Sequence, residues 1–265
     1  MTNDPTNSLN SAQRTSPSYR LAALDQDFLL SRPMRGVRFL LEYEKVDQTL
    51  HAHNIRSSIV VFGSARTRED GPGRQSFWYD EARKFGRMAS EQGGALAPLG
   101  QPLYNVIATG GGPGAMEAAN RGARDVGAPT IGFNIGLPME QEPNPYTTPA
   151  LTFQFHYFAM RKMHLAMRAN ALVVFPGGFG TFDELFEILT LKQTHKAREI
   201  PVVLIDEGYW RSVVHFEALV DAGMINATDL DLFRYAENAD QAWQTLLAQG
   251  VGVSADEDED LARDM

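Results

Sequence analysis

The run Ala171-Leu172-Val173-Val174-Phe175 passes directly into Pro176-Gly177-Gly178-Phe179-Gly180-Thr181-Phe182-Asp183-Glu184, which leads into Leu185-Phe186-Glu187-Ile188-Leu189-Thr190-Leu191. The first piece is short, apolar and β-branched, as a buried strand is. The last has helical periodicity. A buried strand that enters a glycine-rich turn and then a helix belongs to a parallel α/β sheet. At such a helix start the first backbone N–H groups lack partners, and the helix dipole adds partial positive charge. That combination suits a phosphate. Thr181, Glu184 and Glu187 are three residues apart and share one helical face. A phosphate and an acid/base group would then lie within one substrate length of each other.

Two more loops follow the same logic. Val106-Ile107-Ala108 reads as a strand leading into Thr109-Gly110-Gly111-Gly112-Pro113-Gly114 and a helix over 113–126. Pro113 suits that helix's first turn and Gly127 its exit. Ile59-Val60-Val61-Phe62 ends in Gly63-Ser64-Ala65. Three strands thus end in small residues that let a ligand approach the backbone. No Gly-Lys-Ser/Thr occurs, so a P-loop is excluded. The dinucleotide spacing is met only loosely, with Ala115 in the last glycine's place, and Ile131-Gly132-Phe133-Asn134 lacks the acidic residue that would hold an NAD ribose. No cofactor is expected.

Between 57 and about 206, strands and helices alternate. Strands are expected at 58–63, 105–109, 129–133, 152–155, 171–175 and 201–205. Helices are expected at about 76–92, 113–126, 158–169 and 181–195. A Pro-rich connection spans 138–149. A helix near 208–222, an extended piece at 232–235 and a helix at 239–249 complete the pattern. It predicts a single Rossmann-like, doubly wound parallel sheet with helices on both faces. Ligands bind such sheets at the carboxyl ends of the strands, where all three glycine loops fall. Residues 1–18 are rich in Ser, Thr, Asn and Pro and are expected to lack stable order. Residues 19–56 read as a helical extension, in which Phe39, Tyr43, Val46 and Leu50 follow helical spacing and Leu40 widens the stripe. The catalytic domain is expected over 57–250 and a solvated acidic tail over 251–265.

The chain has 265 residues, enough for one α/β domain, and 43% hydrophobic content is ample for its core. A net charge of −9 without a basic stripe argues against a nucleic-acid surface but not against a nucleotide, which is held locally. There is no cysteine, hence no thiolate nucleophile and no cysteine metal site. No His/Asp/Glu cluster has metal-ligand spacing, so no metal is expected. No stretch reads as a signal peptide or membrane span, and a cytoplasmic location is expected.

The helix Phe158-Ala159-Met160-Arg161-Lys162-Met163-His164-Leu165-Ala166-Met167-Arg168 feeds the strand before the main glycine loop. Met160, Met163 and Met167 follow helical spacing and read as core. Arg161 and Lys162 sit at the helix N-terminus, where a cation costs a few tenths to about 1 kcal/mol unless an anion compensates. The neighbouring phosphate loop supplies a reason for them. His156 and His164 flank the pair and are expected to pack or hydrogen-bond rather than to act as a general acid.

TGGGPGAMEAAN (109–120), the F-x-x-R-K-M-H-L pattern of 158–165 and PGGFGTFDE (176–184) resemble the motifs of the Lonely Guy family of nucleotide phosphoribohydrolases. The resemblance covers roughly 57–205, with three motifs in the family's order, and is nearest to the longer bacterial branch. It implies cleavage of the N-glycosidic bond of nucleoside 5′-monophosphates to free base and ribose 5-phosphate. It assigns Arg161 and Glu184 to the catalytic pair, Lys162 to the motif's second base, and Gly177, Gly178, Gly180 and Thr181 to the phosphate loop. It also implies a homodimer or higher homo-oligomer with active sites near the interface. Many relatives carry the label "lysine decarboxylase". A pyridoxal phosphate enzyme needs a Schiff-base lysine and a carboxylate for the pyridine nitrogen. Of the five lysines, Lys45, Lys84, Lys162, Lys192 and Lys196, only Lys162 lies in a site motif.

N-riboside hydrolysis develops positive charge on the ribose ring, which a carboxylate stabilises, or the carboxylate activates water. Glu184 is the candidate for both roles. Arg161 either binds phosphate or orients Glu184, Glu187 either contacts ribose hydroxyls or holds Arg161, and Glu117 is a candidate for sugar or base. Gly63, Ser64, Gly110, Gly111 and Gly112 are candidates for the phosphate and ribose side. Phe133, Met116 and Phe179 are candidates for the walls around the base. AMP is the first substrate to consider; a cytokinin nucleotide would need extra apolar room. The rival reading is a non-catalytic carrier of a phosphorylated ligand, such as a molybdenum-cofactor carrier, which has no need of a carboxylate at the sugar.

Overall fold

The computed structural model describes residues 9–136, 142–196 and 199–252. Seven strands form one sheet: β1 (Ser58–Phe62), β2 (Val106–Thr109), β3 (Thr130–Ile135), β4 (Thr152–Phe155), β5 (Ala169–Val174), β6 (Val202–Ile205) and β7 (Arg234–Ala236). Their order is β4-β3-β2-β1-β5-β6-β7, with every neighbouring pair parallel. Strands β1, β2, β5 and β6 are buried along their whole length. Near-continuous Val/Ile/Leu runs have this fate in a parallel sheet covered on both faces.

The chain starts at the middle of the sheet. From β1 it winds outward through β2, β3 and β4, then returns to the other side of β1 as β5 and winds outward again. The order therefore reverses between β1 and β5, and a crevice opens beyond their carboxyl ends.

The helices are α1 (Ser11–Thr15), α2 (Gln26–Leu30), α3 (Arg35–Ala52), α4 (Gln75–Gln92), α5 (Ala115–Asp125), α6 (Phe158–Met167), α7 (Phe179–Gln193), α8 (Glu207–Val213), α9 (Phe216–Asp221) and α10 (Ala239–Ala248). Several boundaries differ from the sequence expectation. α5 starts after Gly114, which lies at φ +76, so Pro113 precedes the cap instead of sitting in the first turn. α7 starts at Phe179, two residues early, because Gly178 in an extended conformation is its N-cap. The expected single helix near 208–222 is two, since Val214 is extended between α8 and α9. β5 begins at Ala169 rather than 171, where Ser58 of β1 pairs with it across a register irregularity.

The chain divides into two compact units, Met1–Lys45 and Val46–Met265. In the first unit Arg38 donates to the Leu29 and Ser31 carbonyls, both at 2.7 Å. Residues 9–18 were expected to lack order but hold α1 and a 3-10 turn at Pro17–Tyr19, with no residue buried. Of the stripe on α3, Val46 and Leu50 are buried, whereas Leu40 is exposed. Residues 1–8, 137–141 (which take in the start of the Pro-rich connection), 197–198 and 253–265 (nearly all of the acidic tail) lie outside the described residues.

α4 and α5 approach closely because both carry glycine at the crossing. A Cβ on Gly86 would overlap the Ala119 carbonyl, and one on Gly122 would overlap the Arg83 carbonyl. Gly122→Ala is therefore expected to destabilise the protein by roughly 1–3 kcal/mol, the usual cost of overpacking. Urea unfolding would show it as a lower midpoint at unchanged slope.

Candidate active site

A cavity of about 580 Å³ occupies the crevice at the switch point. That is within the range of roughly 300–1,000 Å³ for small-molecule sites. Phe62, Gly63, Ser64, Ala65 and Arg66 contribute one wall as β1 ends, and Met116 closes it from the start of α5. Arg161 of α6 lines it, with Gly178, Phe179, Gly180, Thr181, Phe182 and Glu184 of α7 on the other side.

The turn after β1 is tied to its neighbours by backbone. Ser64 N donates to the Pro176 carbonyl at 3.0 Å, and Ala115 N donates to the Ser64 carbonyl at 3.1 Å. The Ser64 hydroxyl accepts from Arg66 N at 3.0 Å. A Cβ on Gly63 would press on Ala115 and Phe175 at 2.6 and 3.0 Å, so a side chain there would separate three elements. The α7 start is ordered from within and behind. Thr181 N and Phe182 N both donate to the Gly178 carbonyl, at 2.9 and 3.0 Å. The Tyr209 hydroxyl donates to the Gly177 carbonyl at 2.6 Å. Asp206 accepts from Tyr209 N at 3.1 Å and from Trp78 Nε1 at 2.8 Å.

Arg161 and Glu184 meet inside the cavity. The guanidinium Nη1 lies 3.3 Å from Glu184 Oε1, and Nε donates to the Phe133 carbonyl at 2.7 Å. The two side chains are 12% and 7% exposed. A Cβ on Gly110 would overlap Arg161 Nη2, so the glycine lets the guanidinium lie across the end of β2. Burial pushes the Glu184 carboxyl up to about 7, against the pull of the Arg161 and Lys162 charges and aided by Glu187 and Asp183. Burial lowers Arg161 from its ordinary value, while the Glu184 and Asp183 charges oppose the drop. A carboxyl that titrates near neutral pH has the form suited to general acid/base work.

Other candidates stand elsewhere. Lys162 points away from the cavity to the flank of α7, with its ammonium 2.8 Å from both Asp183 and Glu187. Glu187 therefore holds Lys162, not Arg161. Glu117 accepts from the Tyr79 hydroxyl at 3.0 Å and does not line the cavity. Gly111 and Gly112 sit behind the wall, where their carbonyls accept from Asn134 and Asn144, each at 3.0 Å. Gly177 is likewise one layer back. Met116 and Phe179 line the cavity as expected of walls, but Phe133 is core, stacked on Phe153 at 5.8 Å and on His164 at 6.3 Å. His164 is buried there, and His156 stacks edge-on against Tyr157.

The sequence reading missed Arg66, an exposed cation on the cavity wall. Its place directly after Gly63-Ser64-Ala65 was the available signal. It also missed Tyr209, which reaches the glycine loop from more than 20 residues away, and Asp206, which holds Tyr209 from behind; neither carries a motif. No lysine lines the cavity. Lys192 is buried and donates to the Ile200 and Leu232 carbonyls at 2.6 and 2.7 Å. Among the described residues, no group of three or more His, Asp or Glu side chains is arranged for a metal ion.

A family model described as "Possible lysine decarboxylase" matches residues 116–246. The chain is 29% identical over 146 residues to a cytokinin riboside 5′-monophosphate phosphoribohydrolase of Arabidopsis thaliana, covering 54% of this chain and 67% of that one. It is 28% identical over 159 residues to a protein of the same name from Mycobacterium tuberculosis, covering 58% and 81%. A Mycobacterium marinum counterpart is also 28% identical, over 158 residues, covering 59% and 82%. Among solved structures, one from a structural-genomics programme superposes with a TM-score of 0.52 at 23% identity, covering 73% of this chain and 99% of its own. The molybdenum cofactor binding protein of Rippkaea orientalis gives a TM-score of 0.50 at 17% identity, covering 73% and 98%. At these identities the two structures show the shared fold.

The raised Glu184 carboxyl has a thermodynamic signature. Its folded value, about 7, is above the ordinary 4.5. Its contribution to stability is therefore fully present below pH 4.5 and is lost as pH rises through 7. Relative to Glu184→Gln, the wild-type protein is expected to lose thermal stability between pH 5 and 8. Melting temperatures of the two proteins across that window would check it; a constant difference would contradict the raised carboxyl.

Proposed function

We propose that this chain, a member of the Lonely Guy family, hydrolyses the N-glycosidic bond of nucleoside 5′-monophosphates to release free base and ribose 5-phosphate. The observation that carries the reading is the buried Arg161–Glu184 pair facing a cavity whose rim includes the start of α7. The names of the plant and mycobacterial relatives support the same reaction.

In this reading the 5′-phosphate lies against the Gly178–Thr181 turn, with Arg66 as a further cation on the wall. The ribose then lies over Glu184. As the bond from C1′ to the base nitrogen breaks, its electron pair leaves with the base, which takes up a proton. The ionised Glu184 carboxylate opposes the positive charge developing on the ribose ring and takes a proton from the water that bonds to C1′. Arg161 orients that carboxylate: two of its nitrogens are committed to Glu184 and to the Phe133 carbonyl. Met116 and Phe179 offer the base apolar contact. AMP is the first substrate to test. An N6-substituted adenine nucleotide would extend toward the exposed Phe179 at the mouth. A carrier of a phosphorylated ligand would return its ligand intact, so release of free base decides between the readings.

A panel of nucleoside monophosphates and their parent nucleosides, assayed for free base and ribose 5-phosphate in excess chelator, tests this. The 5′-monophosphates are expected to be cleaved and the nucleosides not, because remote phosphate contacts contribute to transition-state binding. Glu184→Gln is expected to keep ligand binding and lose at least ~100-fold in turnover. Equal turnover of AMP and adenosine, or near-normal turnover by the variant, would refute the assignment.

The assembly is proposed as a homodimer or higher homo-oligomer, the common closed outcome for soluble chains. Supporting it, α6 and α7 leave Phe158, Met163, Phe179 and Phe186 exposed to 53, 36, 95 and 38%. Light scattering is expected to give a particle of at least twice 29.3 kDa; a monomer at micromolar concentration would contradict it.

A further inference from the structure

Adjacent residues on a helix diverge by about 100°, so Arg161 and Lys162 cannot both face one ligand. Arg161 enters the cavity. Lys162 turns to the far flank of α7, its side chain 17% exposed, and its ammonium lies 2.8 Å from Asp183 and 2.8 Å from Glu187. Those two carboxylates bracket Glu184 in sequence. Three acidic groups therefore crowd the first turns of α7; Lys162 contacts two of them, and its charge also pulls on Glu184 itself. We infer that Lys162 is a positioning residue rather than a phosphate ligand: by clamping Asp183 and Glu187 it fixes the field in which Glu184 gains and loses its proton. The inference deepens the reading of Glu184 given above and rests on it.

The charges that act on Glu184 come from α6 and α7, and a cation on a third element lines its cavity. From α6 there are Arg161 and Lys162, and from α7 itself Asp183 and Glu187. From the end of β1, Arg66 lines the same cavity. Arg161 is fixed on the Phe133 carbonyl and answers Glu184 directly. Without Lys162, Asp183 and Glu187 would stand uncompensated beside Glu184, and a like charge favours the protonated carboxyl. Burial lowers the Lys162 ammonium, but the neighbouring Asp183, Glu187 and Glu184 carboxylates together outweigh it and hold the group above its ordinary value. The clamp therefore stays charged across the range in which Glu184 titrates.

The test reads Glu184 itself. Side-chain carboxyl resonances of ¹³C-labelled glutamate are followed against pH, and the Glu184 signal is identified by its absence in E184Q. K162M is expected to move the midpoint up by ~0.5–1 unit, less than a fully buried like-charge pair would, because both carboxylates are partly exposed. K162R is expected to leave it at the wild-type position, and D183N/E187Q to move it down. An unmoved Glu184 in K162M overturns the inference. A raised KM for nucleotides with that titration unchanged would make Lys162 a phosphate ligand instead. Should K162M fail to fold, D183N/E187Q decides alone: a downward shift supports the clamp, and no shift or an upward one overturns it. The titration needs no turnover. Shifts in a protein that releases no base from any nucleotide would sink the proposed reaction and leave the clamp standing, whereas an active enzyme without shifts would do the reverse.

Discussion

The parallel pairing of β1 with a strand on each side is the constraint from which the rest follows. A strand paired on both edges can be left in only one direction at a time. The chain first winds out to β4 and then returns to the other side of β1 as β5. The segments leaving β1 and β5 therefore diverge, and no helix can cover the gap between them. Gly63 lets the end of β1 lie against Ala115 and Phe175, which brings the starts of α5 and α7 to the same rim. The crevice is a consequence of topology, and the glycines decide how closely backbone can approach it.

Into that crevice the fold puts one buried ion pair. Such a pair is poor evidence for stability, because desolvation offsets much of the Coulomb attraction. Removing one partner is another matter, at roughly 3–5 kcal/mol for an uncompensated buried charge. Arg161 is therefore held in place by what it holds. Its second bond, to the Phe133 carbonyl, fixes the guanidinium to the sheet, so that Glu184 is oriented by the scaffold and not by a mobile side chain. The same desolvation raises the Glu184 carboxyl to about 7. A single physical cause thus supplies both the reason for the arginine and the chemistry available to the glutamate.

The sequence determined a good deal by itself. Apolar runs of four to six residues alternating with helical periodicity specify a doubly wound parallel sheet. Strand–glycine–helix junctions specify which end of the sheet is open to a ligand. Three motifs in order, at 109–120, 158–165 and 176–184, carry the resemblance to a known family. These features are local: each depends on residues within about a dozen positions, and a period or a turn is legible at that range.

Only the tertiary structure decided which side chains share the crevice. Lys162 is adjacent to Arg161 in every motif sense, yet the helical rotation sends it to the opposite flank of α7, where it meets Glu187. Glu187 shares a nominal face with Glu184, but the packing of α6 beside α7 claims it for that lysine. Phe133 lies inside β3, and its side chain packs in the core with Phe153 and His164. Tyr209, held by Asp206, carries no motif and reaches the glycine loop only because a distant segment packs beside it. The direction in which a side chain points and the charges it meets are set by the elements packed around it. No local pattern contains that information.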